Sequence, residues 1–283
     1  MKHEKMDLLV NELANQFSGT IGMSVKEIGE NKAYSYQGEK LMATASTMKV
    51  FVLGAILEEV QKGKILLEDK VQLKREDQVG GSGVLKELDP GLVMTVKDVA
   101  TLMIIKSDNT ATNILMDMAG GVEKINAHMV RHGIKNSRVG SKIDFEYIGN
   151  DFRKLAIASA DEFVAYLEKM YQRKILSEAM TKVFFSIMGK QQYLDQVPRY
   201  IPFNPYAADL GIDEGAGAVR VANKTGFTAG VRVDVGYLFR GSKALIYAVM
   251  LNDCKDESFA PDNEANLMAG KIGRIFYEHW LLD

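Results

Sequence analysis

The feature that most constrains this fold is the placement of its strand patterns, which lie near both ends of the chain and flank a long helical middle. Residues 21–25 alternate between apolar and small or polar side chains, and residues 231–239 form a longer alternating run. A two-residue period is typical of half-buried strands, whereas residues 46–190 mostly follow helical spacing. Because strands from both ends can join one sheet, the pattern predicts an α/β part made from both termini with a helical part inserted between them.

This arrangement sets the predicted domain boundaries. We predict an α/β sheet domain over residues 1–38 and 214–283 and an inserted all-helical domain over residues 39–213, with prolines and glycines of residues 198–217 marking the second boundary. Amphipathic patterns at both termini predict helices beside the sheet. A cleft between two such domains is the default place for a binding site.

Composition excludes several classes of protein. The net charge is −2, which argues against a nucleic-acid-binding protein, and 47% hydrophobic residues exclude a disordered chain. Cys254 is the single cysteine, so neither an intramolecular disulfide nor a cysteine-based zinc site is expected. No apolar run reaches the roughly 18 residues of a transmembrane helix. We expect a monomer that needs no metal or organic cofactor.

The first residues carry information on location. The segment MKHEKMDLLVNELANQF has acidic residues and only a short apolar patch, so it lacks the apolar region of a signal peptide. As it stands, the sequence predicts a cytoplasmic protein. If a leader has been removed, a periplasmic or secreted protein is expected instead.

The segment Ser46-Thr47-Met48-Lys49 lies where the first long helical pattern begins. Ser46 and Lys49 are three residues apart and would share one face of a helix. A serine hydroxyl becomes a nucleophile when a base removes its proton, and a lysine can be that base where burial or positive charge lowers its pKa. The alternative is a helix-capping serine beside a solvated lysine.

Two further motifs follow in order along the chain. Ser107-Asp108-Asn109 lies between two helical patterns, and Lys224-Thr225-Gly226 lies near the end of a strand pattern. Each alone is compatible with an ordinary cap or turn. Together, S-x-x-K, S-D-N and K-T-G form the signature set of class A β-lactamases and penicillin-binding proteins.

The chain therefore resembles class A β-lactamases and related penicillin-recognising serine hydrolases over nearly its whole length, including the stretch from Met103 to Gly121. The resemblance implies a β-lactamase/transpeptidase-like fold, with an antiparallel sheet flanked by terminal helices and an inserted helical domain. It implies that Ser46 is acylated, that Lys49 accepts its proton, and that Ser107 passes a proton to the leaving nitrogen. Asn109 would hold Lys49 and contact the substrate.

The third motif would supply the remaining substrate contacts. By the same resemblance, Lys224 places positive charge near the substrate carboxylate, Thr225 donates a hydrogen bond to it, and Gly226 belongs to the binding strand. The backbone N–H groups of Ser46 and Phe227 would form the oxyanion hole. Arg232 is interpreted either as a further carboxylate contact or as a surface arginine.

The sequence departs from class A β-lactamases where they carry an E-x-x-L-N motif. Here residues 142–150 contain Glu146 and Asn150 at the matching spacing, but Gly149 replaces the leucine. Glu146 is predicted to support deacylation, with Asp144 as the rival and a solvated loop carboxylate as the alternative. Without a competent base, acylation would still occur but turnover would be slow.

Three functions stay open on these residues. The first is a β-lactamase that opens the lactam amide through Ser46. The second is a D,D-peptidase-like amidase or an esterase with slow or absent β-lactam turnover, and the third is a penicillin-binding sensor. The substrate in each case is a β-lactam or another acyl amide or ester.

Two other segments receive structural interpretations. His128 and His132 have the spacing of a two-histidine metal site on a helix. No third ligand is evident from the sequence, so a solvated helix face is favoured. The glycine-rich residues 79–83 are interpreted as a flexible turn, although they could line the cleft.

Overall fold

The computed structural model describes residues 3–215 and 217–282. Its helices are α1 (His3–Gln16), α2 (Lys49–Gln61), α3 (Val96–Ile105), α4 (Asn109–Met118), α5 (Val122–Arg131), α6 (Phe145–Ile148), α7 (Ala160–Tyr171), α8 (Glu178–Met188) and α9 (Glu264–Phe276). Its strands are β1 (Thr20–Glu27), β2 (Ala33–Tyr36), β3 (Met42–Ala43), β4 (Lys70–Gln72), β5 (Val93–Thr95), β6 (Arg138–Val139), β7 (Ala156–Ala158), β8 (Val219–Thr228), β9 (Val231–Arg240) and β10 (Lys243–Asn252).

One antiparallel sheet joins the two ends of the chain, in the strand order β2-β1-β10-β9-β8. Strand β1 pairs with β10 from Thr20 opposite Asn252 to Glu27 opposite Leu245. The prediction of one sheet shared by both termini is therefore confirmed. Within the described ranges, no helix is long and apolar enough to cross a membrane.

The sheet is buried on both faces, and side chains alternate between two apolar cores. On β10, Ile246, Ala248 and Met250 pack with the helical middle of the chain. The intervening Leu245 and Tyr247 pack instead with α1, α9 and Trp280. The two-residue period of the strands thus divides one sheet between two layers of helices.

Helix α2 is the central element of the helical middle. All its residues from Lys49 to Glu58 are buried. In the sequence, Val50, Leu53 and Leu57 recur at helical spacing and form one apolar stripe, but the structure buries this helix on its other faces as well. Small and apolar side chains on the other faces of α2 allow neighbouring helices to surround it.

The middle of the chain also contains short strands that the sequence pattern did not show. Strands β3, β7 and β6 form a three-stranded sheet, and β4 pairs with β5. The expectation that this part contains helices only is therefore wrong. Strands of two or three residues are too short to display a two-residue period, so sequence reasoning missed them.

Candidate active site

The segment that carries Ser46 is held in an unusual backbone conformation between β3 and α2. Ser46 lies in a 3-10 turn over Ala45–Met48, and the preceding residue Ala45 has a φ of +44°. A non-glycine residue in this left-handed region is uncommon and is often found at functional sites. Ser46 is partly exposed, whereas the residues on both sides of it are buried. Its side chain is thus the accessible one in this turn.

Lys49 begins helix α2 and is fully buried. Its Nζ donates hydrogen bonds to the Ser107 carbonyl at 2.7 Å, to Ser107 Oγ at 3.2 Å and to Asn109 Oδ1 at 2.9 Å. Burial lowers the pKa of Lys49 well below its ordinary value, and the charge of Lys224 lowers it further, while Asp108 opposes this. The interpretation of a solvated lysine is therefore wrong.

The S-D-N motif forms the connection between α3 and α4. Ser107 has a φ of +52°, which turns its side chain and its carbonyl toward the same neighbour, Lys49. Asp108 caps α4 by accepting from Ala111 N at 2.9 Å. It also accepts from Val84 N at 2.6 Å and Leu85 N at 2.9 Å. Asp108 thus fixes both α4 and the neighbouring loop.

The glycine-rich loop 79–83 lies against this motif. Asn109 Nδ2 donates to the Gly80 carbonyl at 2.9 Å, and Asn109 N donates to the Ser82 carbonyl at 3.0 Å. Val79 N donates to Thr110 Oγ1 at 2.9 Å. The favoured interpretation of a flexible turn is therefore wrong, because the loop is hydrogen-bonded to the segment that contacts Lys49.

The K-T-G motif brings a second buried lysine to the same place. Lys224 Nζ donates to Ser107 Oγ at 3.2 Å and to the Thr225 carbonyl at 2.5 Å. Burial lowers the pKa of Lys224 to about 7, although Asp234 opposes this. Ser107 Oγ therefore lies between two lysines whose charged forms are both disfavoured. Such paired perturbation by burial and like charge is typical of functional sites.

Gly226 allows strand β8 to approach the backbone beside Ser46. A Cβ at Gly226 would lie 2.8 Å from Ser46 N and 2.8 Å from the Thr44 carbonyl oxygen. A side chain would collide with this backbone, so the close approach of β8 requires glycine at position 226. Thr225 Oγ1 is buried and lacks a hydrogen-bond partner among the described residues, so it can bond an incoming group. Phe227 follows directly on β8.

Arg232 is buried, so the interpretation of a surface arginine is wrong. Its guanidinium donates to the carbonyls of Thr228, Val231 and Ser258 at 2.7–2.8 Å and to Asn266 Oδ1 at 2.9 Å. These bonds attach β9 to the segment before α9. A direct role in carboxylate binding stays a prediction.

Among the described residues, the side-chain hydrogen bonds of Lys49 go to Ser107 and Asn109 and not to the two candidate loop carboxylates. Asp144 caps α6 by accepting from Glu146 N at 3.0 Å and Tyr147 N at 3.2 Å. Glu146 is exposed, and its carboxylate makes no hydrogen bond or ion pair with the described residues. A catalytic role of Glu146 stays a prediction.

Sequence reasoning missed two residues that position the site. Asn113 accepts from Ile143 N at 2.9 Å and donates to the Ile143 carbonyl at 2.8 Å, which fixes the loop before α6. Asn252 on β10 accepts from Ala43 N at 2.9 Å and donates to the Ala43 carbonyl at 3.2 Å. The only sequence signal was a polar residue on an otherwise apolar face or strand end.

The observed environment of the histidine pair differs from the predicted one. His128 is 1% exposed, with Nδ1 2.9 Å from Glu58 Oε2 and Nε2 2.8 Å from Tyr166 Oη. The predicted solvated helix face is wrong for this residue. Glu58 and Tyr166 belong to helices distant in sequence, so the helical spacing alone could not reveal them.

Comparison with known proteins places this geometry in a family. The model of the β-lactamase enzyme family matches residues 7–280. The chain belongs to that family. A β-lactamase of Proteus vulgaris is 33% identical over 117 residues, 41% of this chain and 38% of that protein. β-Lactamase PSE-4 of Pseudomonas aeruginosa is 27% identical over 138 residues, 49% of this chain and 48% of that protein.

These alignments span about half or less of the length of the curated relatives. Solved structures extend the likeness to the whole chain. The β-lactamase of Sphaerobacter thermophilus has a TM-score of 0.82 and 26% identity, covering 95% of both chains. A point mutant of PBP-A, solved as an acyl-enzyme complex with penicillin G, has a TM-score of 0.80 and 20% identity, covering 97% of both chains. The predicted β-lactamase-like fold is confirmed.

Proposed function

We propose that this member of the β-lactamase enzyme family is a serine hydrolase that opens the β-lactam amide through an acyl-enzyme on Ser46. The observation that carries this proposal is the buried cluster in which Lys49 and Lys224 both donate to Ser107 Oγ. Strand β8 lies against the backbone of Ser46 beside this cluster. Few structural roles require two buried lysines around one serine hydroxyl, because burying each ammonium is costly.

Acylation would transfer the Ser46 proton to Lys49 and then, through Ser107, to the lactam nitrogen. Ser46 Oγ attacks the lactam carbonyl carbon, and its proton passes to neutral Lys49. The C–N bond of the tetrahedral intermediate then breaks, and the Ser107 hydroxyl donates its proton to the leaving nitrogen. Lys49 returns a proton to Ser107 Oγ through the hydrogen bond between them. The product is an ester on Ser46. No atom of the substrate leaves, because the broken bond belongs to a ring.

The substrate would be held by groups from the third motif. A charged Lys224 and the unpartnered Thr225 hydroxyl favour a carboxylate. Backbone N–H groups of Ser46 and Phe227 would stabilise the oxyanion, each donor being worth about 2.7–4 kcal/mol in the transition state. The PBP-A mutant held as an acyl-enzyme with penicillin G supports a ligand of this class.

The loop geometry favours a second candidate, an acyl-enzyme that deacylates slowly, as in a D,D-peptidase-like amidase, an esterase or a sensor. Hydrolysis of the ester requires a water activated by a base. The Asp144 carboxylate already accepts hydrogen bonds from two backbone N–H groups. The Glu146 carboxylate makes no hydrogen bond with Lys49 or Lys224 among the described residues. The two candidates share acylation and differ in turnover.

A chromogenic cephalosporin tests both candidates. Wild type and Ser186→Ala, which removes an exposed hydroxyl on α8, should open the ring, and Ser46→Ala should not. Continued colour release over many equivalents indicates a β-lactamase, and one equivalent followed by a slow phase indicates slow deacylation. Glu146→Gln should reduce continued turnover to about one equivalent if Glu146 is the base, and should leave turnover unchanged if Glu146 is a solvated carboxylate. Ring opening by Ser46→Ala at the wild-type rate would overturn the proposal.

We also propose that the chain acts as a monomer on a small molecule. Every catalytic group named above belongs to one chain, so the site needs no second copy. Sedimentation velocity at micromolar protein should give a single species of the 31.4 kDa chain. A dimer with lower activity after dilution would contradict this.

A further inference from the structure

A second cluster of chemistry-bearing side chains lies at the other end of helix α2. Glu58 is nine residues after Lys49, which corresponds to about 13 Å along a helix axis. It contacts His128 and His132, which lie one turn apart at the end of α5. No step proposed for Ser46 uses these residues.

The ligand-type atoms of the three residues converge. The carboxylate and imidazole atoms all lie within 4.8 Å of one another. His128 Nδ1 is 2.9 Å from Glu58 Oε2, and His132 Nε2 is 3.3 Å from Glu58 Oε1. Ligands on a tetrahedral Zn²⁺ with bonds of about 2.0–2.1 Å lie about 3.3 Å apart. The two short contacts reach different oxygens of Glu58, and the whole group lies within 4.8 Å, so the three side chains need only small movements to surround one ion.

His128 is buried, and its Nδ1 faces the Glu58 carboxylate. Its other nitrogen, Nε2, is 2.8 Å from Tyr166 Oη. A hydrogen bond on the second imidazole nitrogen fixes the tautomer and orientation of metal-binding histidines. At this distance Nδ1–H donates to the Glu58 carboxylate, so a metal on Nδ1 requires the imidazole proton to move to Nε2, where the Tyr166 hydroxyl oxygen can accept a hydrogen bond from it.

The fold makes room for this arrangement. A Cβ at Gly54 on α2 would collide with the hydroxyl of Tyr166, so glycine there is what lets the phenol reach His128. A cavity of about 320 Å³ opens beside the cluster, and its charged lining consists of Glu58 and Glu59 together with Lys62, Lys64, Lys124 and Arg131. It offers an entry path and space for a water ligand.

Two cations already contact the carboxylate. Arg131 Nη2 lies 2.6 Å from Glu58 Oε2, and Lys62 Nζ lies 3.2 Å from the same oxygen. Their side chains are 49% and 39% exposed, so both can swing into solvent. Glu58 itself is buried, with its side chain 10% exposed, so a bound cation has to replace the positive charge that these two side chains now supply.

We propose that Glu58, His128 and His132 form a Zn²⁺ site with Tyr166 as the outer hydrogen-bond partner. Two imidazoles and one carboxylate are a ligand set that zinc prefers, with the fourth position open to water. The inference stands on this cluster alone and does not depend on acylation of Ser46.

Equilibrium dialysis of the full chain against Zn²⁺ tests the site, with Co²⁺ absorption as a report on coordination. Wild type should bind one equivalent, and the Co²⁺ spectrum should be that of a tetrahedral complex. His132→Gln is the main variant, because this side chain is 17% exposed and its loss leaves the core intact. It should weaken binding by more than about 100-fold, and Tyr166→Phe by about 10–100-fold.

His279→Gln is the matched control, since this histidine lies outside the cluster and should keep wild-type affinity. Circular dichroism verifies that each variant is folded. Absence of Zn²⁺ binding by wild type would overturn the proposal. Equal affinity in wild type and His132→Gln would overturn it as well, because the metal would then lie elsewhere.

Discussion

At the scale of single residues, the site depends on two lysines that share one hydroxyl. Lys49 and Lys224 each donate to Ser107 Oγ at 3.2 Å. Burial lowers the pKa of both lysines, opposed by Asp108 at Lys49 and by Asp234 at Lys224, and the charge of Lys224 lowers the pKa of Lys49 further. This asymmetry fits Lys49 as the base and Lys224 as the cation.

Lys49→Arg should abolish acylation while preserving the positive charge. A guanidinium does not lose its proton at accessible pH, so it cannot act as a base. We expect the second-order rate of labelling by a fluorescent penicillin to fall by about 10²–10⁴-fold. Lys62→Arg, at an exposed position directly after the same helix, is the control. Labelling of Lys49→Arg at the wild-type rate would exclude Lys49 as the base.

The pH profile should report Lys224. Because its pKa is lowered to about 7, Lys224 is charged below pH 7 and loses its charge as the pH rises through 7. Attraction for an anionic penicillin should therefore weaken above pH 7. The effect can be isolated from the titration of Lys49 by comparing a penicillin with its uncharged methyl ester. Lys49 affects both acylation rates, so their ratio reports the attraction between Lys224 and the carboxylate. The ratio should fall between pH 6 and 8 in wild type and stay level in Lys224→Arg; a level ratio in wild type would contradict the assignment.

Some residues were predictable from sequence and others were not. Lys49, Ser107 and Lys224 belong to short motifs with chemical meaning, and the structure brings their side chains together. The surroundings of Arg232 and His128 depend on partners more than 25 residues away, such as Ser258 and Glu58. Local spacing carries no information about such contacts, so the solvated face predicted for His128 and the surface alternative considered for Arg232 were both wrong.

At the scale of elements, the critical contact is between strand β8 and the turn that carries Ser46. Gly226→Ala should place a Cβ 2.8 Å from Ser46 N and push the strand away. We expect at least 10-fold slower acylation, because misplacement of about 1 Å can cost a hundredfold in rate. Gly217→Ala is the control, since its Cβ would have its nearest neighbour at 3.6 Å. Unchanged labelling in Gly226→Ala would show that this contact is not required.

Helix α3 leads into the S-D-N motif and begins with a reciprocal cap. Thr95 Oγ1 accepts from Asp98 N at 3.1 Å, and Asp98 Oδ2 accepts from Thr95 N at 2.9 Å. Thr95→Ala should lower the free energy of unfolding by about 0.5–2 kcal/mol. Thr101→Ala, in the interior of the same helix, should be nearly neutral. Urea unfolding of both variants checks this, and equal losses would contradict the capping role.

Element positions were largely predictable because the long elements have strong periods. Strand β9, for example, covers the alternating run of residues 231–239. Helix α2 shows the limit of such reasoning. Its stripe of apolar residues resembled an amphipathic helix, but burial on every side depends on what packs around it.

At the scale of the whole molecule, residues from the end of the chain hold the segment that precedes Ser46. Asn252 on β10 makes two hydrogen bonds with the backbone of Ala43. Asn252→Ala should destabilise the protein by about 1–3 kcal/mol, because buried backbone groups lose their partners. It should also slow labelling of Ser46. Asn31→Ala, in an exposed turn, is the control, and a wild-type labelling rate in Asn252→Ala would exclude this coupling.

The layout of the whole molecule could be predicted from the sequence, because strands at both ends of the chain are most simply paired in one shared sheet. The register was not accessible, since it depends on side-chain packing across strands far apart in the chain. The same limit applies to the site, where the motifs name its members but do not show how the loop carboxylates lie.

The most direct test of the central claim is peptide mapping after a short exposure to benzylpenicillin and an acid quench. We expect wild type to gain the full mass of the drug on the peptide containing Ser46. If deacylation is fast, we expect hydrolysed drug in the same tube instead. Ser46→Ala should show neither result. An adduct on another residue, or unmodified protein beside intact drug, would contradict the account.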